Sequence, residues 1–64
     1  MWYHIMAEDL QTGAKFHVKH LKSYKLACQF ADNLQKVAGK YFHHTVEWID
    51  QDKEGRPIIH KYFA

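Results

Sequence analysis

SYKLACQFADNLQKVAGKY, residues 23 to 41, decides the fold, because its apolar side chains recur at helical spacing while those of its neighbours alternate. Ala27, Phe30, Ala31, Leu34, Val37, Ala38 and Tyr41 lie three and four residues apart, which lines them along one face of a helix. Ser23 suits the N-cap, since its hydroxyl can accept from a backbone N–H that the first turn leaves unpaired. Gly39 is expected to end the helix in a left-handed conformation, with Tyr41 as an extension beyond it. Lys25, Gln29, Asp32, Asn33, Lys36 and Lys40 form the opposite, solvated stripe.

Outward from this helix, both flanks read as hairpins. WYHIMAE (2–8) and AKFHVKHL (14–21) alternate as strands, with turn residues centred on Thr12 and Gly13 between them. The expected register pairs Ala7 with Val18, Asp9 with Phe16, Glu8 with His17 and Met6 with Lys19. One face then carries Tyr3, Ile5, Ala7, Phe16 and Val18. The other carries Trp2, His4, Met6, Glu8, Lys15, His17 and Lys19.

On the C-terminal side, FHHTVEWID (42–50) and IIHKYF (58–63) flank QDKEGRP, a turn-forming run. A bulge at Gly55 pairs Val46 with Tyr62 and Trp48 with His60 on one face, and Ile49 with Ile59 and Glu47 with Lys61 on the other. The predicted fold is therefore α+β, β-β-α-β-β, a four-stranded, mainly antiparallel sheet with one helix packed on one face. Residues 1–64 read as one small domain, with a core of Ile5, Phe16, Val18, Phe30, Leu34, Val37, Val46 and Trp48. A helix covers only one side of so small a sheet, so Ile49, Ile59 and Phe63 are expected to stand uncovered as an apolar patch of the kind that marks a protein interface.

Size and composition limit what such a chain does. A domain of 64 residues buries only about 60% of the surface its unfolded chain exposes, which disfavours a deep catalytic cleft. The composition is 47% hydrophobic and 16% aromatic, that of a folding chain rather than a disordered one. No run approaches the roughly 18 apolar residues a spanning helix needs, and the opening residues lack the pattern of a secretory signal. Cys28 is the single cysteine, so no internal disulfide framework exists and a reducing cytoplasm is the expected setting.

No catalytic set is expected. The chain has three glycines and neither a phosphate-binding loop nor a GxSxG elbow. Cys28 falls beside the apolar stripe of the helix, where a structural thiol is the ordinary role. Six histidines raise the question of a metal. In a regular strand, however, His17 and His20 point to opposite faces, as do His43 and His44, so no metal or other cofactor is expected.

Binding is the remaining class. Lys22 precedes the helix and Lys25 lies in its first turn, where the dipole disfavours cations and the leading N–H groups are free to hold an anion. With Lys15, His17 and Lys19 nearby, and Trp2 as a stacking surface, these residues and Ser23 form the expected phosphate-contacting set of a nucleic-acid-binding module. The alternative is a protein-interaction module, an inhibitor, adaptor or homodimer, using Ile49, Ile59 and Phe63.

Overall fold

Two turns and one cap set the path of the chain. Asp9 begins the first turn, its carboxylate accepting from the N–H groups of Gln11 (2.8 Å) and Thr12 (3.1 Å), and Gly13 completes it at φ 77°. Asp52 plays the same part in the second, accepting from the N–H groups of Glu54 and Arg56, each at 2.9 Å, with Gly55 at φ 79°. Both glycines occupy the left-handed region that other residues avoid. Between the hairpins, the Ser23 hydroxyl accepts from the Leu26 N–H at 3.2 Å and starts the helix.

The computed structural model describes residues 1–64. It contains β1 (Tyr3–Asp9), β2 (Lys15–Leu21), α1 (Tyr24–Ala38), β3 (Phe42–Gln51) and β4 (Pro57–Phe63). The strands form one antiparallel sheet in the order β2-β1-β3-β4, and α1 packs across one face, the α+β arrangement expected. No helix is long and apolar enough to cross a membrane.

The core lies where α1 crosses the two central strands. Ile5 of β1 and Val46 of β3 are paired neighbours and, with Ala27 and Ala31 of the helix, are wholly buried. The alanines let the helix backbone approach the sheet. Burying each of the two branched side chains contributes about 1.5–3 kcal/mol, and Tyr3, Leu21, Phe30, Leu34, Trp48 and Tyr62 pack around them.

Several expectations need correction. Phe16, Val18 and Val37 are not core residues, being 47%, 39% and 82% exposed. β2 is an edge strand, and the helix lies over β1 and β3, leaving the inner side of β2 only partly covered. Asp32 is half-buried rather than part of a freely solvated stripe, its carboxylate accepting from the Tyr62 hydroxyl at 2.9 Å and tying the helix to β4. Gly39 is right-handed, at φ −64°. What it supplies is room, since a Cβ there would meet the main-chain oxygen and side-chain amide of Gln35.

The second hairpin has the expected register, with Val46 opposite Tyr62, Trp48 opposite His60 and Ile49 opposite Ile59. The first does not. Ala7 pairs with Phe16, Glu8 with Lys15 and Met6 with His17, and then the register shifts so that Ile5 pairs with Lys19 and His4 with His20. The shift is a β-bulge, one extra residue in β2 between His17 and Lys19. Phe16 and Leu21, five apart, both belong on the helix side, and a regular strand of period two cannot place them there together. The extra residue restores Leu21 to the core and turns over everything between the bulge and the strand end.

Candidate functional site on the open sheet face

The face of the sheet away from α1 carries no covering element. Its residues follow from the register: His4, Met6 and Glu8 of β1; Lys15, His17 and His20 of β2; Thr45, Glu47 and Ile49 of β3; Ile59, Lys61 and Phe63 of β4. Trp2 joins them just before β1, its indole edge-on to His20 at 4.7 Å between ring centroids.

Two unlike halves make up this face. Over β3 and β4 stand Ile49, Ile59 and Phe63, each 63–64% exposed, with the Phe63 ring stacked on His43 at 5.9 Å. A shallow cleft of about 230 Å³ separates this half from the other, with His4, Met6, His17, Glu47, Ile49 and Ile59 among its lining residues. On the β1–β2 half, His4, His17 and His20 converge, with His4 Nδ1 3.1 Å from His17 Nε2 and all three able to offer nitrogens within 4.8 Å of one another. His17 and His20 therefore share a face, against expectation, because the bulge lies between them.

Charges on the face are balanced. Lys15 pairs with Glu47 across β1. Burial pushes the Glu47 carboxyl up, but the bonded Lys15 ammonium, with Thr45 and Lys61, outweighs this and holds it below the ordinary carboxylate range. Glu47 is thus an anion at neutral pH.

The expected phosphate-contacting residues do not form one surface. Lys15 and His17 lie on the open face, but Lys15 is engaged by Glu47. Lys19 lies on the helix side, opposite Ile5, with its ammonium 5.2 Å from the centre of the Phe30 ring. The Ser23 hydroxyl caps the helix. Lys22 extends over the Trp2 ring at 5.0 Å, leaving Lys22, Lys25 and Trp2 at the β2–α1 junction. The helix face holds the remaining nucleophile, Cys28, half-buried and free; its thiol lies against the Tyr24 hydroxyl and holds it above its ordinary range.

A larger depression, about 510 Å³, lies at the far end between Leu10 and Tyr41. It is walled by the first turn and the helix exit, and its ionisable lining residues are Asp9, Lys40 and Tyr41. Sequence reasoning missed the three-histidine cluster. The signal available for it was the five-residue spacing of Phe16 and Leu21. Comparison of the chain with family models, with curated proteins and with solved structures finds no match.

Proposed function

We propose that this chain is a non-catalytic protein-binding module that works through the open face of its sheet, with Ile49, Ile59 and Phe63 as the anchors. The observation that carries the reading is the exposure of these three side chains, 63%, 64% and 64%, on a face that nothing covers: Ile49 and Ile59 are cross-strand partners, and Phe63 lies further along β4 beyond Lys61. The accessible surface, 4734 Å², supports it, against about 4300 Å² for a compact monomer of this mass. A standard interface needs about 800 Å² from each partner, which this face can supply. Two basic and two acidic groups, Lys15 and Lys61 with Glu8 and Glu47, share it, a balance that suits a protein surface better than a polyphosphate. A cytoplasmic setting belongs to the same reading, Cys28 having no second cysteine to pair with.

The solution mass measured from low to high micromolar concentration tests for a second copy, and capture from extract tests for a different protein. A partner that survives nuclease treatment and is lost in Ile59→Asp supports the reading. Retention of that partner by Ile59→Asp refutes it.

Nucleic acid is the second reading, favoured by one observation, the Lys22 ammonium over the Trp2 ring beside the helix N-terminus. Binding there would weaken steeply with salt, because each neutralised phosphate releases condensed counterions. Titration of single- and double-stranded DNA and RNA at low salt checks it; no binding, or binding unchanged in Lys22→Glu with Lys25→Glu, removes it.

A further inference from the structure

We propose that His4, His17 and His20 form a binding site for one divalent d-block cation, with Zn²⁺ the ion that fits best. Tetrahedral zinc with Zn–N bonds of about 2.0–2.1 Å requires ligand nitrogens about 3.3–3.4 Å apart. His4 Nδ1 and His17 Nε2 already stand 3.1 Å apart, and the three rings can each offer one nitrogen with all of these atoms within 4.8 Å of one another. Closing the two edges to His20 takes a shift of up to about 1.5 Å, within the reach of a side-chain rotation in an exposed residue.

A hydrogen bond between two imidazoles accounts for the His4–His17 approach alone. It leaves unexplained the third ring, whose centroid lies 5.8 Å from His4 and 5.4 Å from His17. The backbone supplies the placement: His20 lies directly across from His4, and His17 reaches the same face only because of the bulge. Bulges re-aim side chains in this way. Trp2, edge-on to His20, limits how far that ring can swing away.

Charge near the site is mixed. On the Trp2 side the Lys22 ammonium is drawn onto the indole face. The Glu47 carboxylate lies on the same face, on the strand position opposite His4. Three imidazoles leave the fourth position of a tetrahedral ion open, as in sites where the ion holds an exchangeable ligand. Borderline imidazole donors select zinc, copper, nickel or cobalt over magnesium or calcium.

The test uses the full chain without an affinity tag, titrated with Zn²⁺ in a calorimeter and with Co²⁺ as a spectroscopic probe. One equivalent of Zn²⁺ per chain is expected. His17→Ala and His20→Ala should each weaken binding at least about tenfold, the low end of what the loss of mere outer-shell partners costs. His43→Ala and His60→Ala should leave it unchanged. Both mutated ligands are exposed, and far-ultraviolet circular dichroism verifies that the variants fold. Imidazole ¹⁵N shifts supply a readout that needs no mutation: Zn²⁺ should move those of His4, His17 and His20 and not that of His44. No stoichiometric binding, equal loss in His43→Ala, or ¹⁵N shifts outside these three rings overturns the proposal.

Discussion

His44 lies on the helix side of β3 with 3% of its surface exposed, held by Gln35, whose side-chain oxygen accepts from the His44 backbone N–H at 3.0 Å and lies 2.9 Å from Nδ1. Burial, with His43 next to it, pushes its pKa below the ordinary 6.5. The fold therefore favours the neutral ring, and the unfolded chain binds more protons between pH 6.5 and the lower folded value. Stability is complete above pH about 6.5 and is lost as pH falls through that window. Glu47 and Asp52, also held below their ordinary values, act in the same direction but at lower pH, below about 4.5. Urea unfolding at pH 7, 6 and 5 should show stability declining in wild type, and His44→Gln should flatten that slope whatever it does to stability at pH 7. A slope unchanged in the variant would show that another group is responsible. Gly39 provides a companion prediction, since its right-handed backbone would admit alanine but the Cβ would press on Gln35. Gly39→Ala is expected to cost about 1–3 kcal/mol, the usual range for overpacking, where an ordinary helix-end substitution would stabilise.

Among the elements, α1 depends on its ends and on one cross-link. Ser23→Ala removes the cap on Leu26 and should cost about 1 kcal/mol. Tyr62→Phe removes the hydroxyl that donates to Asp32 and should lower the thermal midpoint, since a hydrogen bond to a charged acceptor is stronger than one between neutral groups. The same carboxylate holds the Tyr62 phenol above its ordinary range, so Asp32→Asn should lower the pH at which Tyr62 ionises, measurable from its ultraviolet absorbance. The helix, the element order and the second hairpin were legible because each had a local marker: the three-and-four spacing, the Ser23 cap, the Asp52 and Gly55 turn. The first hairpin hid its register. Its turn closes with the Asp9 backbone N–H donating to the Ala14 carbonyl, two positions from the expected pairing, and its bulge answers to Leu21 finding the core, a tertiary demand that the five-residue spacing of Phe16 and Leu21 marks without locating. The core was overdrawn for a similar reason. Phe16 follows the right period, but periodicity does not reveal which strand lies at the sheet edge, and Val37 sits on the flank of the helix, rotated away from the buried Ala27 and Ala31. The open face shows the division most clearly. Ile49, Ile59 and Phe63 could be placed from alternation alone, whereas the histidine cluster exists only through the bulge.

At the scale of the whole molecule, the protein is a slab of 40 × 24 × 15 Å, one helix deep on one sheet, with seven residues buried. Ile5 and Val46 are the largest side chains fully removed from water, so the hydrophobic reserve is small for a chain of this length. Covering the open face would bring Ile49, Ile59 and Phe63 out of water together and add the layer that the monomer lacks. If the covering partner is a second copy, folding and association are linked, and the thermal midpoint must rise with protein concentration. Ile59→Asp separates the two contributions. Its side chain is 64% exposed and paired with an equally exposed Ile49, so the monomer should keep its fold and lose no more than about 0.5 kcal/mol, as surface substitutions do. The concentration dependence should vanish, because a carboxylate buried at the centre of an apolar contact costs several kcal/mol with no partner. Differential scanning calorimetry over a hundredfold concentration range reads both effects in one series. A wild-type midpoint that rises with concentration, beside a variant midpoint that does not, identifies the open face as the self-association surface. A wild-type midpoint independent of concentration excludes self-association through this face, and unfolding of Ile59→Asp at every concentration would mean that the face already contributes to the monomer core.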